Sequence, residues 1–366
     1  MRPWLLLSAF VVTALLMAPL AAAPKPPGSG PKPTPPPPEG PADPAVAYTH
    51  VTGWDDDVWN LGVMNANGTA ATTIYTAAPT PEAPAVPAEI RHPTWAPDRS
   101  AIAFMVVHTH PELWRIDVTV AIGAVQGTNP LLLLATYITY NPYYYTDISP
   151  AWSPDGTVIA FTEEDTDPSL FWYEYAPLMK LVRTIPASGG TPTTLYTTED
   201  MYGASDLTWS HDSTKIAWVS TRFIDTTAGS DEYYPVLEPV EYSIMVLDIP
   251  TNTTRTVFGP VTYRLYDLDG ARTQDKIAFY AYSPVSGIYT VDIRQPDAVP
   301  QLVFAGGHSP TWLPDDAKIA FNAPEYHWRT GKLIGWPIWT YEFSTAQKVR
   351  VGPGWDPDWV RCGPCP

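Results

Sequence analysis

The sequence predicts an all-β fold, a six-bladed β-propeller built from four-stranded antiparallel blades. Three observations support this prediction. A Trp–turn–strand motif recurs along the chain, each copy is followed by two further β-rich runs, and the two chain ends carry complementary parts of one more copy. A repeat of this kind, made of short strands without a long helical pattern, is typical of small sheets arranged in a ring.

Two segments of different composition precede the repeats. Residues 1–23 combine Arg2, an apolar stretch and small residues at 21–23, which predicts an export signal that is cleaved. A membrane anchor is the alternative, but the apolar stretch is short and contains Pro19. Residues 24–44 are rich in Pro and predict an extended linker. No Cys follows the signal, so a lipoprotein is not indicated.

The repeat consists of a Trp, a tight turn and an apolar run containing Ile-Ala-Phe or Ile-Ala-Trp. Four copies have an Asp three residues after the Trp: Trp95 and Asp98, Trp152 and Asp155, Trp209 and Asp212, Trp312 and Asp315. A fifth copy has Gly270 and Thr273 in these places. The motif Ile residues stand at positions 102, 159, 216, 277 and 319, so consecutive copies lie 57, 57, 61 and 42 residues apart.

A sixth copy is divided between the chain ends. "GWDPDW" places Trp355 and Asp358 at the motif spacing but has no apolar run after it, and residues 46–51 supply such a run with no Trp before it. Pairing of the two ends would complete a blade and close the ring, which removes exposed sheet edges. The predicted propeller therefore spans residues 45–361, and a Cys-containing tail follows at 362–366.

We interpret the repeated Trp and Asp residues as structural, because a residue that recurs in every repeat serves the repeat itself. The Trp can pack between neighbouring blades, and the Asp can accept hydrogen bonds from the backbone of its turn. The pattern of Trp-Ser-Pro-Asp-Gly and Ile-Ala-Phe elements resembles the TolB-like six-bladed propeller repeat over residues 45–359. The resemblance implies the fold, whereas propellers of this kind serve as periplasmic scaffolds, glycan-handling enzymes and peptidase gating domains.

Propeller geometry sorts the connections between strands onto two faces. With strands a to d running outward in each blade, the a–b and c–d turns share one face, called here the short-turn face. The b–c and d–a connections share the other, called here the long-loop face. The insertions at 162–179, 220–242 and 322–336 are all b–c connections. Insertions on one face of a repeat array usually mark its binding side.

The long-loop face is predicted to be acidic and aromatic. Such a face suits a cationic protein patch, a sugar that stacks on rings, or a divalent cation. Alternatively, the acids keep an exported protein soluble and the rings pack the loops together. The candidate binding residues are Asp55, Asp56, Asp57, Glu163, Glu164, Asp165, Trp172, Tyr173, Tyr233 and Trp328.

No catalytic set stands out, and we predict neither a metal nor a cofactor. His108, His110 and Glu112 offer metal-ligand chemistry without a firm third ligand. The sequence contains neither a Gly-x-Ser-x-Gly elbow nor a phosphate-binding Gly loop. Cys362 and Cys365 copy a thioredoxin-type tetrapeptide, but the helix that such a motif needs does not follow. We interpret these two Cys residues as a local disulfide or as free thiols.

The charge composition limits the classes of molecule that the protein is expected to bind. A net charge of −17 over 366 residues argues against nucleic acid and anionic membrane surfaces. The expectation is a periplasmic or secreted monomer with no membrane span after signal cleavage. The leading hypothesis is a protein-binding or scaffold module, rather than an enzyme, that uses the long-loop face. The alternative is a carbohydrate-binding protein or carbohydrate-active enzyme that uses the same face.

Overall fold

The computed structural model describes ten stretches of the chain. They are residues 45–52, 58–77, 88–110, 115–125, 132–139, 149–164, 179–199, 201–226, 237–283 and 285–360. The predicted signal, linker and Cys tail lie outside these residues. Within them, no helix is long and apolar enough to span a bilayer.

The described residues form short strands throughout. In chain order these are β1 (Val46–Thr52), β2 (Val58–Met64), β3 (Thr72–Thr76), β4 (Glu89–Trp95), β5 (Ala101–His110), β6 (Arg115–Ala124), β7 (Leu132–Thr139), β8 (Ala151–Trp152), β9 (Val158–Glu164), β10 (Met179–Pro186), β11 (Thr193–Thr197), β12 (Tyr202–Trp209), β13 (Lys215–Asp225), β14 (Leu237–Asp248), β15 (Thr253–Val261), β16 (Leu265–Gly270), β17 (Lys276–Ala281), β18 (Gly287–Asp292), β19 (Gln301–Ala305), β20 (His308–Trp312), β21 (Lys318–Asn322), β22 (Glu325–Tyr326), β23 (Leu333–Gly335), β24 (Ile338–Glu342), β25 (Gln347–Gly352) and β26 (Trp355–Trp359).

These strands build six four-stranded antiparallel sheets, which confirms the predicted fold class. From blade one to blade six, the strand orders are β26-β1-β2-β3, β4-β5-β6-β7, β8-β9-β10-β11, β12-β13-β14-β15, β16-β17-β18-β19 and β20-β21-β24-β25. The insertion in blade six forms a separate two-stranded sheet of β22 and β23. This insertion connects β21, which is strand b of blade six, to β24, which is strand c, so the hairpin lies on the long-loop face.

The chain ends close the ring within blade one, as predicted. Val46 pairs with Trp359 and Ala47 pairs with Asp358. The backbone N–H of Val360 donates to the carbonyl of Ala45 at 2.8 Å. Because the first and last described strands share one sheet, blade one has its innermost strand from one end of the chain and its other three from the other end.

The position of the motif Trp in blade one requires a correction. Trp359 is 3% exposed and is the last residue of the innermost strand, as the motif Trp is in the other blades that have one. Trp355, at the start of that strand, is 47% exposed. Asp358 accordingly lies before the motif Trp and not in a turn after it. The sequence "WDPDW" satisfies the Trp-x-x-Asp spacing by chance, four residues too early.

Side chains of the Ile-Ala-Phe run alternate between two inter-blade cores. Ile102 and Phe104 pack toward blade one, and Ala103 and Met105 pack toward blade three. Successive residues of a strand point to opposite faces of its sheet, so each b strand contributes to the core on both sides of its blade. This explains why the run is continuously apolar.

The motif Trp and Asp residues join the blades and stabilise the turns. The indole Nε1–H of Trp95 donates to the carbonyl of Asp358 at 3.2 Å, and that of Trp209 donates to the carbonyl of Ala151 at 2.9 Å. Oδ1 of Asp98 accepts from the backbone N–H of Ser100 at 2.9 Å. The equivalent carboxylates of Asp155, Asp212 and Asp315 accept from Thr157, Thr214 and Ala317.

Candidate functional site

The innermost strands of all six blades surround one cavity on the propeller axis. One circle of side chains, called here ring one, consists of the residue that lies three positions before the motif Trp, or before Gly270 in blade five. Its members are His92, Ser149, Asp206, Asp267, Ser309 and Asp356. Two residues later lies a second circle, called here ring two: Thr94, Ala151, Thr208, Asp269, Thr311 and Asp358. The cavity is open to solvent, and its volume is about 590 Å³ when the open solvent at its mouth is included. Each strand runs toward its a–b turn, so ring one lies on the long-loop side of ring two.

A repeated backbone irregularity turns ring one toward the axis. His92, Asp206, Asp267, Ser309 and Asp356 all have φ between 44° and 54°. The pairing register shifts at the same place in each of these blades. The left-handed region is sterically costly for most side chains but tolerated by Asp, Asn and His. Four of the five residues, all but Ser309, are therefore of types that suit this backbone conformation.

Ring two is committed to holding the blades together. Oδ2 of Asp358 accepts from the backbone N–H of Trp95 at 2.8 Å, and Oδ2 of Asp269 accepts from that of Trp312 at 2.7 Å. Oγ1 of Thr208 accepts from the N–H of Gly270 at 2.7 Å. Each bond runs from one blade to the next, so ring two forms an inter-blade hydrogen-bond circuit.

A single Arg neutralises the carboxylates of ring two. Arg272 takes the motif Pro position of blade five, and its side chain is 2% exposed. Its guanidinium donates to Oδ1 of Asp269 at 2.9 Å and lies 3.6 Å from Oδ1 of Asp358. It also donates to Oγ1 of Thr311 and to the carbonyl of Trp359. Arg272 thus joins blades five, six and one on the short-turn side of the cavity.

Ring one, by contrast, gathers three carboxylates together with one titratable base, His92. Oδ1 of Asp206 accepts from the backbone N–H of Asp267 at 2.8 Å, and Oδ2 of Asp267 accepts from that of Ser309 at 3.0 Å. Oγ of Ser309 donates to Oδ1 of Asp356 at 3.1 Å. Ser149 is 7% exposed, and its Oγ has no hydrogen-bond partner among the described residues.

The electrostatics of ring one act most strongly on Asp267. Burial, together with the nearby charges of Asp206 and Asp356, raises the pKa of the Asp267 carboxyl to about 7, against the opposing effects of His92 and the Ser309 N–H. Burial lowers the pKa of His308 at the rim, against the charge of Asp356. Burial and mutual repulsion therefore disfavour ionisation of all the carboxyl groups of ring one together.

We expect Asp267→Asn to stabilise the protein at alkaline pH. An acid whose pKa is raised on folding costs stability above that pKa, and the cost disappears where the carboxyl is protonated in both folded and unfolded states. Asn tolerates the φ of 54° at this position. Urea unfolding should show the variant to be more stable than the wild type at pH 8, with the gap closing between about pH 7 and pH 4.

Asp212→Asn is the matched control. Although burial opposes it, hydrogen bonds from Ser210 and Thr214 lower the pKa of Asp212. Its substitution should therefore destabilise the protein at pH 8 and do so less as the pH falls. A difference between Asp267→Asn and wild type that does not change with pH would contradict the assignment.

Aromatic rings lie next to ring one in the sequence and structure of blades five and six. Tyr266 stacks on Tyr280 with ring centroids 6.3 Å apart, Tyr280 meets the edge of His308 at 6.4 Å, and His308 lies 5.0 Å from Trp336. These four rings, called here the aromatic arc, follow blades five and six beside Asp267. Trp355 and Trp59 form a further edge-to-face pair, at 6.2 Å, in blade one.

Few of the loop residues predicted from the sequence can be placed. Asp55, Asp56, Asp57, Asp165, Trp172, Tyr173 and Tyr233 lie outside the described residues. Glu163 accepts from Nη1 of Arg183 at 2.5 Å, so its charge is paired. Glu164 ends β9. Trp328 is 80% exposed at the end of the β22–β23 hairpin.

The metal site considered from the sequence cannot be placed, and the structure brings a different set of ligand atoms together. Around His108, the side chain of His110 and residue Glu112 lie outside the described structure. On the short-turn face, His211, Asp212 and Asp275 offer ligand atoms within 4.8 Å of one another. Nδ1 of His211 lies 3.3 Å from Oδ1 of Asp275.

Sequence reasoning missed ring one although its signal was present. Four of the six repeats carry x-Pro-x-Trp before the turn, as in His92-Pro93-Thr94-Trp95 and Asp356-Pro357-Asp358-Trp359, and the other two have Leu207 and Leu268 in place of the Pro. The first x is ring one and the second is ring two. A search upstream of the motif Trp, and not only downstream of it, would have found both rings.

Comparison with known structures agrees with this architecture. TolB from Acinetobacter baumannii superposes with a TM-score of 0.58 at 13% identity, over 87% of this chain and 67% of that chain. The fold is that of the TolB propeller. No protein-family model and no curated protein sequence matches the chain.

Other solved propellers are similar to a lesser degree. An oligogalacturonate lyase from Vibrio parahaemolyticus matches with a TM-score of 0.45 at 10% identity, over 85% of this chain and 74% of that chain. The β-propeller domain of the trilobed protease from Pyrococcus furiosus matches with 0.44 at 12%, over 86% and 84%. At such identities the likeness to TolB and to these proteins is one of fold.

Proposed function

We propose that the protein is an exported binding or scaffold module that takes a cationic segment of a partner protein at the long-loop face. The observation that carries the proposal is ring one. Three carboxylates surround one axial cavity, and Oδ1 of Asp267 and Oδ2 of Asp356 make no hydrogen bond with the described residues. Ring one lies toward the long-loop face, while Arg272 satisfies ring two behind it.

The chemistry of ring one favours a donor cation. An ammonium or guanidinium group can donate several hydrogen bonds at once to carboxylates, and such charge-assisted bonds are the stronger ones. The buried hydroxyl of Ser149 adds a further acceptor. A concave site of one sign also focuses the field and attracts the opposite charge from solution. The acidic loops predicted on the same face would extend this attraction, which steers association.

An incoming cation would also resolve the charge conflict within ring one. Burial and the charges of Asp206 and Asp356 raise the pKa of Asp267 to about 7. A bound cation favours the ionised carboxylate, so binding should release a proton and weaken as the pH falls below about 7. A site that binds a neutral group would not show this dependence.

The aromatic arc supports a second candidate, a carbohydrate. Rings that are partly exposed beside hydrogen-bonding carboxylates are suited to stacking on one side of a sugar and accepting from its hydroxyls. This candidate depends on Tyr266, Tyr280 and Trp336 more than on the charge of ring one. The two candidates can therefore be separated by substitution.

A selection experiment tests the first candidate. A library of random peptides is passed over immobilised protein, and the recovered sequences are counted for Lys and Arg. We expect enrichment of cationic peptides by the wild type and loss of that enrichment in Asp267→Asn/Asp356→Asn, since Asn keeps the backbone conformation and removes the charge. Asp292→Asn, whose carboxylate accepts from Arg294 at the end of β18, is the matched control.

The same variants decide between the candidates. If the double variant selects cationic peptides as well as the wild type does, ring one is not the anchoring site. If a glycan array gives a ligand that Trp336→Ala abolishes and the double variant leaves intact, the carbohydrate reading replaces the protein one. Neutralising Asp55, Asp56, Asp57, Glu163 and Glu164 together should lower the salt dependence of peptide binding.

A further inference from the structure

The β22–β23 hairpin carries apolar side chains into solvent. Tyr326 is 58% exposed, Trp328 80%, Leu333 44% and Ile334 61%. Tyr326 and Leu333 are cross-strand partners. Single exposed apolar residues are common on soluble proteins, but a cluster in one short hairpin is a feature of interaction surfaces.

The hairpin is held in shape by its own bonds. The N–H of His327 donates to the carbonyl of Lys332 at 2.7 Å, and the N–H of Gly331 donates back to the carbonyl of His327 at 2.8 Å. Gly331 has φ of 65°, which suits Gly in this turn. At the base, Nε of Arg350 donates to Oε2 of Glu325 at 3.2 Å. The apolar side chains are therefore presented by an ordered turn.

The charge of this region is opposite to that of the whole chain. The insertion at 322–336, which contains the hairpin, has Arg329, Lys332 and a single acid, Glu325, whereas the chain as a whole carries a net charge of −17. At the tip, Arg329 and Lys332 are both exposed. The guanidinium of Arg329 lies over the Trp328 ring, 4.3 Å from its centroid.

We propose that this hairpin docks the protein onto an anionic lipid bilayer surface, with Trp328 and the neighbouring aliphatic side chains in the interfacial region and with Arg329 and Lys332 against lipid phosphates. Trp and Tyr favour the membrane interface because their rings are amphipathic, and Lys and Arg reach the headgroups from beside them. The proposal does not depend on a ligand in ring one.

The two cations of the hairpin suit anionic lipid phosphates, and the exposed Trp, Leu and Ile side chains beside them suit the interfacial region of a bilayer. The Debye length is about 8 Å at physiological salt, so a tip in contact with the bilayer experiences its own two cations and only a screened field from the acidic body. The net charge of the whole chain disfavours contact with anionic membranes. A basic hairpin that touches the surface first is nevertheless attracted to it, because the charge of the acidic body is screened at that distance.

Vesicle co-sedimentation tests this proposal. The full chain, with the same N-terminus in every variant, is incubated with phosphatidylcholine vesicles or with vesicles of phosphatidylcholine and phosphatidylglycerol at 3:1. We expect binding to the anionic vesicles, a loss of about thirtyfold in partitioning for Arg329→Gln/Lys332→Gln, and a further loss for Trp328→Ser. Trp355→Ser removes another exposed Trp from the long-loop face and should bind as the wild type does.

Three outcomes would overturn the proposal. The first is no binding of the wild type to anionic vesicles. The second is binding that survives both hairpin variants or is lost equally in Trp355→Ser. The third is concentration-dependent self-association in sedimentation velocity that Trp328→Ser abolishes, without vesicle binding, which would make a second copy the occupant. Thermal unfolding identical to wild type excludes misfolding, since the hairpin lies outside the six blade sheets.

Discussion

Deletion of residues 354–366 is expected to abolish the closed propeller. The deletion removes β26, which supplies the innermost strand of blade one. Trp95 loses its bonds to the Asp358 carboxylate at 2.8 Å and to the Asp358 carbonyl at 3.2 Å. β1 becomes an unpaired edge, and such an edge promotes association with other chains. We expect the variant to aggregate or to melt at least about 10 °C below the wild type.

A shorter deletion is the matched control. Removing residues 361–366 alone keeps β26 and the bond from Val360 to Ala45. Its melting curve should match that of the wild type, which would assign the effect of the longer deletion to ring closure and not to loss of the tail. Calorimetry and size-exclusion chromatography measure both variants. Unchanged cooperative unfolding after deletion of 354–366 would contradict closure by β26.

Much of the fold could be predicted because the residues that define each repeat lie close together in the sequence. The Ile-Ala-Phe run must be continuously apolar to fill two inter-blade cores, and Asp98 and its equivalents must accept from their own turns. Both requirements act over about ten residues and are visible in one sequence. The closure of the ring could also be predicted, since each chain end carries what the other lacks.

The site could not be predicted in the same way, because it forms only when six strands converge. Asp206 and Asp267 are 61 residues apart in the chain but hydrogen-bonded in the ring. Nothing local to either residue reports the other. Sequence reasoning therefore looked for function in acidic loops, where charge is concentrated along the chain, and overlooked single residues spaced by the repeat.

The fifth repeat, in which Gly270 and Thr273 replace the motif Trp and Asp, also could not be interpreted from local sequence alone. Gly270 looks like a degenerate Trp, yet a Cβ at this position would come within 2.1 Å of the Trp209 carbonyl. Arg272, two residues later, stands where the repeats of blades two, three, four and six have Pro97, Pro154, His211 and Pro314. The loss of the Trp and the gain of the Arg belong to one arrangement, in which a buried cation meets the carboxylates of ring two.

Arg272→Met should destabilise the protein severely, by about 3–5 kcal/mol in the free energy of unfolding. The substitution keeps most of the side-chain volume and removes the charge. Asp269 and Asp358 are then left as buried carboxylates without their cation, at side-chain exposures of 11% and 12%. Removing one partner of a buried ion pair is costly because the remaining charge stays desolvated. Urea unfolding at pH 7 measures the loss.

Two further variants show whether the loss comes from the unpaired charge. Arg272→Met/Asp269→Asn/Asp358→Asn should recover much of the stability, because Asn keeps an oxygen to accept from the backbone of Trp312 and Trp95 while the negative charges disappear. Arg294→Met breaks an ion pair whose Arg side chain is 62% exposed. It should change stability little, as surface ion pairs do. If Arg272→Met costs no more than Arg294→Met, or if the triple variant is weaker than the single one, the neutralisation of ring two by Arg272 is not what stabilises the short-turn side of the axis.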